Sequence, residues 1–531
     1  MRITIKFFGC LLFIVSNMFY PAQHASAAPA KELSIGLSSS ITSMDPHHHN
    51  LTPNNALLRH VFNSLIAQDA SQTLVPSLAR SWRTVNATTW EFKLRPNVTF
   101  HDGTPFTAED VAFSFKRAPT VPNSPSSFAP YLKAITEVVV VDTRTIHLKT
   151  AAPYPLMPND IATVLIVSKK AAERATTDDF NSGKSAIGTG PYKFAEYVPN
   201  QRVVLTANYK YWAGEEPWEK VTFKMLTSAP ARVAALLSKD VDAIEDVPPA
   251  DLANLGKDKR VALFNKISNR IIYLHLDSGR KTGSPFVFDK SSKPLEKNPL
   301  ADVRVRQAVS AAIDRYAITS RIMEGNALPA GQLLADGFFG VSKSLEAQKI
   351  DVPVAKKLLA DAGYPNGFAM TLHSPAGRYI NDEKIAQAVA QMLTRVGIDT
   401  KVETMPPSVF FTRGTKLEFS FMLVGWGSET GEASSPLRAL VATYDKDKGM
   451  GVSNRGRFSN ADVDRLLAEA LTTIDNSKRA ALLAQSTEAA IKDVGIVPLH
   501  YEISSWATRA GLRYTGRADQ NTLAMDIRTS N

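Results

Sequence analysis

Three consecutive histidines, His47-His48-His49, are the residue types best suited to holding a metal ion or a polar solute. Neighbours in an extended loop point to different sides, so three in a row chelate one ion poorly. The pattern therefore reads as a solvated loop, and no metal site is assigned. His101-Asp102 has the makings of an acid–base pair. An Asp102-Gly103 turn feeding a capped helix explains both residues without chemistry. Gly183-Lys184-Ser185 looks like the end of a phosphate-binding loop, but the position five residues before Gly183, which must be glycine, is Asp178. No G-x-S-x-G elbow and no H-E-x-x-H helix occurs, and no carboxylate pair has a spacing that forces an acid/base reading. No catalytic residue and no cofactor is assigned.

The elements that must position such residues are clearest between Leu74 and Arg117. Trp90, Phe92 and Leu94 alternate with Glu91, Lys93 and Arg95, which predicts a strand with one apolar and one charged face. Pro96-Asn97 and Asp102-Gly103 are turn pairs. Thr107 reads as an N-cap with Asp110 three residues on, and Phe106 has the spacing to pack on Val111.

The 531 residues carry 44% hydrophobic and 21% charged residues, enough for several domains and a large core. The net charge of +10 is spread along the chain and never becomes a basic block, so nucleic-acid binding is not expected. Arg2 and Lys6, the apolar run from Phe7 to Val15 and the small residues Ala25-Ser26-Ala27 read as an export signal at residues 1–27, cleaved after Ala27. The apolar run is too short to span a bilayer. Cys10, the only cysteine, lies in this leader, so disulfide and thiol chemistry are not expected of the mature chain. Further on, the spacing predicts a helix from Asn298 to Arg315 with Val305, Ala308, Val309 and Ala312 on one face and Arg304 and Arg306 elsewhere. A strand from Phe368 to His373, a helix from Lys384 to Val396 and a strand from Ile398 to Met405 form a β-α-β unit with Gly397 as the helix stop.

Pro76, Leu78, Ala79, Ser81, Trp82, Trp90, Phe92, Leu94, Arg95, Val98, Phe100, His101, Asp102, Gly103, Pro105, Ala108, Asp110, Val111 and Ser114 match one long pattern. It resembles the signature of the extracellular solute-binding proteins, family 5, the peptide, nickel and oligosaccharide receptors of ABC importers. Ile187 to Phe194 and Asn298 to Arg315 resemble later landmarks, and the resemblance runs over roughly 73–450. It implies an α/β fold: a two-lobed periplasmic binding protein of type II, cluster C-like, with an extra domain and mixed sheets flanked by helices. Domain I would be discontinuous, from 28–60, 187–277 and 499–531; domain II would be 61–186 and domain III 278–498. The implied function is to capture a small solute, peptide-like, opine-like or oligosaccharide, in the interdomain cleft. A periplasmic monomer would then deliver it to an ABC permease and, through it, a cytoplasmic ATPase, with no cofactor and no bond made.

The same resemblance places His47 and His48 at the cleft mouth and Arg378 where peptide-binding relatives hold a ligand carboxylate. An ion pair of Arg378 with Asp382 or Glu383 is the plainer reading. Gly425 to Ser435 aligns with the cleft loop whose aspartate holds a peptide amino group; here Glu429 and Glu432 stand near those places and the Asp-Pro step is missing. Trp426 is suited to stacking on a ligand or to filling the interdomain core. Tyr444 and Asn454 are further candidates. The rival functions are an exported hydrolase acting on peptides or glycans, which lacks a nucleophile motif, and a holdase or adhesion protein.

Overall fold

Residues 74–150 build an antiparallel four-stranded sheet in the order Ala79–Asn86, Thr89–Leu94, Thr145–Thr150, Ile135–Asp142. The computed structural model describes residues 31–530; the expected leader, its cleavage point and Cys10 lie outside them. Trp90, Phe92, Leu94, Ile146 and Leu148 share a core with Val111 and Phe115 of the helix Ala108–Arg117. The opposite face differs from the simple charged surface that alternation implies. Glu91 is buried there and receives Arg83 at 2.9 Å, Lys93 at 3.3 Å and His147 at 3.3 Å. The Arg83 hydrogen bond, above all, holds its carboxyl down at about 2. Cross-strand pairing of this kind ties neighbouring strands together.

The helix starts as its sequence dictates. The Thr107 N–H and Oγ1 both donate to Asp110 Oδ2, at 2.9 and 3.1 Å. Gly103 takes φ +84°, and Asp102 Oδ1 accepts the Thr104 N–H at 3.0 Å. His101 Nδ1 accepts the Gly188 N–H at 3.2 Å, so Nε2 carries the proton donated to the Gly190 carbonyl at 3.0 Å. Burial pushes this ring down to about 4, so it is neutral near pH 7 and pins two chain segments together.

A 12-stranded sheet joins the two halves of the molecule. Its path runs Val287–Phe288, Phe368–Pro375, Phe421–Gly427, Val261–Leu276, Val497–Arg509, Ala243–Ile244, Glu32–Leu37, Lys220–Met225, Arg202–Ala207, Tyr192–Val198. The strands Val261–Leu276 and Val497–Arg509 are long antiparallel partners. Their pairing shifts register between Ile267 and Ile271 and again between Ile272 and Tyr273. Before the shift, Phe264 and Trp506 pack with Ile35, Phe223 and Tyr192. After it, Ile272, Leu274 and Leu276 pack with Val305, Phe368 and Leu499, while Ile271 and Tyr273 pack with Leu333, Phe458 and Tyr501 on the other side of the sheet. The two strands thus pack into one core before the register shift and into two others after it.

Within the second lobe, Phe368–Pro375, the helix Asp382–Arg395 and Ile398–Met405 form the expected β-α-β unit with parallel strands. Gly397 takes φ +101° at the helix stop. The helix expected from Asn298 is shorter, Val303–Ala311, because Asn298 and Asp302 each cap a separate turn. Arg306 is buried on it. Its guanidinium donates to the carbonyls of Leu300, Ala301, Asp493 and Val494 and to Asp493 Oδ1.

Candidate functional site

The strand Phe421–Gly427 leaves the sheet beside the register shift and aims the following loop at the first lobe. Gly425 is required here: a Cβ would lie 2.7 Å from Ile272 Cδ1 and 2.8 Å from the Tyr379 ring. Side-chain amides then grip the loop backbone. The Ser428 carbonyl accepts from Asn269 Nδ2 at 2.8 Å and Gln72 Nε2 at 3.1 Å. The Glu429 carbonyl accepts from Gln72 Nε2 at 3.1 Å and Gln68 Nε2 at 3.3 Å, and the Thr430 carbonyl from Asn159 Nδ2 at 3.1 Å. Gln68, Gln72 and Asn159 belong to the first lobe. No sequence signal singled them out, because isolated amides carry no pattern.

This loop, the helix Ala108–Arg117, the segment 129–138 and the helix Met157–Ile161 enclose a cavity of about 1130 Å³ between the lobes. Trp426, Glu429, Tyr131, Asp160 and Arg438 are among its lining residues. The size and the mixture of apolar wall and sparse polar groups suit a small-solute site. A second groove of about 1060 Å³ lies wholly within the first lobe and takes His48 in its wall.

Glu429 is half-buried at the cavity edge, and Oε1 accepts the Thr52 hydroxyl at 3.2 Å. Among the described residues no cation lies within ion-pair distance of it. The nearby guanidinium groups are engaged elsewhere, Arg59 with Asp519 at 3.3 Å and Arg270 with Glu502 at 3.3 Å. Burial, reinforced by the Asp519 charge, pushes the Glu429 carboxyl above its ordinary range.

Asp160 is the second carboxylate of this cavity, 5% exposed, with a hydrogen bond from the Tyr154 hydroxyl. Burial, with a contribution from Glu432, pushes it up to about 7 against the pull of Tyr154 and Arg438. A carboxyl whose folded value lies above its unfolded value stabilises the fold below about pH 4 and loses that contribution as pH rises through about 7. Asp160→Asn removes the titration. The variant is expected to gain about 2–4 kcal/mol on the parent between pH 5 and pH 8, read as the growing difference in denaturant midpoints.

The remaining sequence candidates occupy other settings. Glu432 is buried, with Arg479 Nη1 at 2.9 Å from both carboxylate oxygens and the Ser434 hydroxyl donating to it. Asn454 is buried and bonds to the Ala442 and Phe458 carbonyls and the Phe458 N–H. His47 is buried, bonded to the Leu165 carbonyl at 2.7 Å and to Arg117 at 3.0 Å, and is pushed down to about 4 by burial. These three side chains have internal partners and no open face toward the cavity. Tyr444 is exposed beneath the Arg457 guanidinium, 3.9 Å from its ring centre, outside the cavity lining. Arg378 is exposed and lies over the Tyr379 ring at 5.2 Å. Asp382, the plainer partner, instead accepts the backbone N–H groups of Gly377, Arg378 and Tyr379. Trp426 lines the cavity and donates Nε1–H to Ser435 Oγ at 3.3 Å. Among the described residues no three His, Cys, Asp or Glu side chains are grouped to hold a metal ion, and no helix is long and apolar enough to cross a membrane.

Comparison with known proteins places this geometry. The chain is 27% identical to heme-binding protein A of Haemophilus influenzae over 483 residues, covering 85% of this chain and 83% of that one. It is 25% identical to the periplasmic oligopeptide-binding protein OppA of Escherichia coli over 512 residues, 90% of this chain and 89% of OppA. The ABC transporter-associated periplasmic binding protein DppA from Helicobacter pylori, solved with the peptide STSA, superposes with a TM-score of 0.75 at 21% identity over 94% of this chain and 98% of that one. Residues 73–448 match the model of the bacterial extracellular solute-binding proteins, family 5 Middle, and the chain belongs to that family.

Proposed function

We propose that the chain is the substrate-binding protein of an ABC importer, which captures a peptide or peptide-like solute and delivers it to a membrane permease. On this reading it works outside the cytoplasm, once its leader is removed after Ala27, and changes no bond in its guest. Glu429 carries the reading. A carboxylate at the edge of an interlobe cavity, without an ion pair among the described residues and with Arg59 and Arg270 held by other acids, is placed to receive a cation from the solute. A peptide ammonium supplies one, and Trp426 offers a ring for the first residues to lie against. The oligopeptide named with OppA supports the same class. Arg378, exposed and free of an ion pair among the described residues, is the sequence candidate for a solute carboxylate.

The coupling to transport follows from the two crossing strands. Residues 31–267 with 503–530 form one body and residues 271–502 the other, and a solute touching both favours their closed arrangement. The permease then reads the closed shape. The test is to denature protein purified from its host, identify the released small molecule by mass spectrometry, and titrate it back. Glu429→Gln is expected to weaken binding of an amine-bearing solute by about tenfold or more. Unchanged affinity, or steady conversion of the compound, overturns the proposal.

A further inference from the structure

Arg438 lines the interlobe cavity from the second lobe and is half-buried. It sits in the single wide turn Leu437–Val441, whose other four residues are buried in that lobe's core. The Arg438 carbonyl accepts the Gly451 N–H at 2.7 Å and the Ala439 carbonyl the Ser453 N–H at 2.9 Å, so the backbone beneath the side chain is fixed. Tyr154 and Asp160 of the first lobe stand near the guanidinium, which forms no ion pair among the described residues. The acids around it are poor counter-ions. Arg479 holds Glu432 at 2.9 Å, and Lys448 holds Asp445 at 3.2 Å. Asp160 takes the Tyr154 hydroxyl, and burial keeps its carboxyl up at about 7 even with the Arg438 charge nearby. Burial pushes Glu429 up as well. The other cations of the lining, Lys116, Lys133 and Lys448, are exposed and stay hydrated. Arg438 alone among them gives up part of its hydration without gaining a counter-ion.

We infer that Arg438 is a specificity-determining residue, whose guanidinium receives an acidic side chain of the solute and makes the receptor selective for peptides that carry one near their amino end. The inference rests on the reading of the cavity as the peptide site and adds the composition of the solute. A planar guanidinium takes both oxygens of a carboxylate in a parallel fork, which an amide of the same shape cannot match. The position along the peptide follows from the neighbours. Glu429 and Asp160 both lie close to the Tyr131 hydroxyl, and Asp160 lies close to Arg438. Glu429 and Arg438 therefore serve adjoining parts of a guest. A peptide whose ammonium meets Glu429 presents an early side chain to Arg438 and leaves its terminal carboxylate to Arg378.

The test uses Ala-Glu-Ala-Ala and Ala-Ala-Glu-Ala with their glutamine counterparts, titrated calorimetrically into the full mature protein. At least one glutamate peptide is expected to bind about tenfold tighter than its counterpart. Arg438→Gln should bring that ratio to about one, and Arg438→Lys, which keeps the charge without the planar fork, should leave about a threefold ratio. Arg378→Ala should weaken acid and amide peptides alike and keep the ratio. A ratio near one in the parent, a ratio that survives Arg438→Gln because all four peptides weaken together or not at all, or a ratio lost in Arg378→Ala overturns the inference while the peptide reading stands. Should Arg438→Gln fail to fold, an undiminished ratio in Arg438→Lys overturns it in the same way. If none of the four peptides binds the parent protein, peptide reading and inference fall together.

Discussion

Arg479→Met is expected to lower folding stability by about 3–5 kcal/mol at pH 7, the usual cost of stranding one member of a buried ion pair. Arg479 rises from the helix Asn476–Lys492 and places Nη1 2.9 Å from both oxygens of Glu432. Its guanidinium also stacks 4.3 Å from the Phe339 ring centre. Without it the Glu432 carboxylate keeps only the Ser434 hydroxyl. The stranded acid should take up a proton well above the ordinary carboxylate range, so the deficit should shrink on acidification. Urea midpoints measured from pH 5 to pH 8 check both parts. The double variant Arg479→Met/Glu432→Gln should recover a good part of the loss, because it removes the stranded charge. A single-variant deficit below about 1 kcal/mol would show that the pair does not hold the cleft loop in place.

Gly188→Ala should cost about 3 kcal/mol or more, for a different reason. A Cβ at Gly188 would lie 1.9 Å from the Val61 carbonyl oxygen and 2.7 Å from its carbon, and the obstacle is backbone that cannot rotate away. That carbonyl accepts the Gly190 N–H at 2.9 Å, and the His60 carbonyl accepts the Tyr192 N–H at the same distance, so a shift would break the junction between residues 60–61 and the strand at Tyr192. Gly103→Ala provides the control. It adds a methyl where nothing lies within 4 Å, at φ +84°, and should cost only about 1–2 kcal/mol of local backbone strain. Equal losses in the two variants, measured by chemical denaturation, would refute the packing argument.

Local chemistry was legible in the sequence wherever it closed on itself within a few residues. The Thr107–Asp110 cap, the turn at Asp102-Gly103 and the β-α-β unit around Gly397 are such cases. Long-range pairing was not. Glu429 and Glu432 stand three residues apart in one polar loop, and nothing in the loop says which is free. Only the fold brings Arg479 to Glu432 and leaves Glu429 at the cavity edge. Glu91 misleads in the same way, because it sits on the charged face of its strand while Arg83 and His147 reach it from neighbouring strands. Asp160 and the amides of Gln68, Gln72 and Asn159 are invisible for a related reason: each is unremarkable alone and gains meaning only opposite the 428–430 loop.

The backbone passes between the lobes twice, along adjacent antiparallel strands, with its register shifts gathered at 268–272. A single proteolytic nick at the shift therefore cannot part the molecule into separate pieces. The severed polypeptides should co-migrate on a native gel and separate only in denaturant, and the second passage alone should still tether one lobe to the other. Two nicks, one in each passage, are needed to set the lobes free.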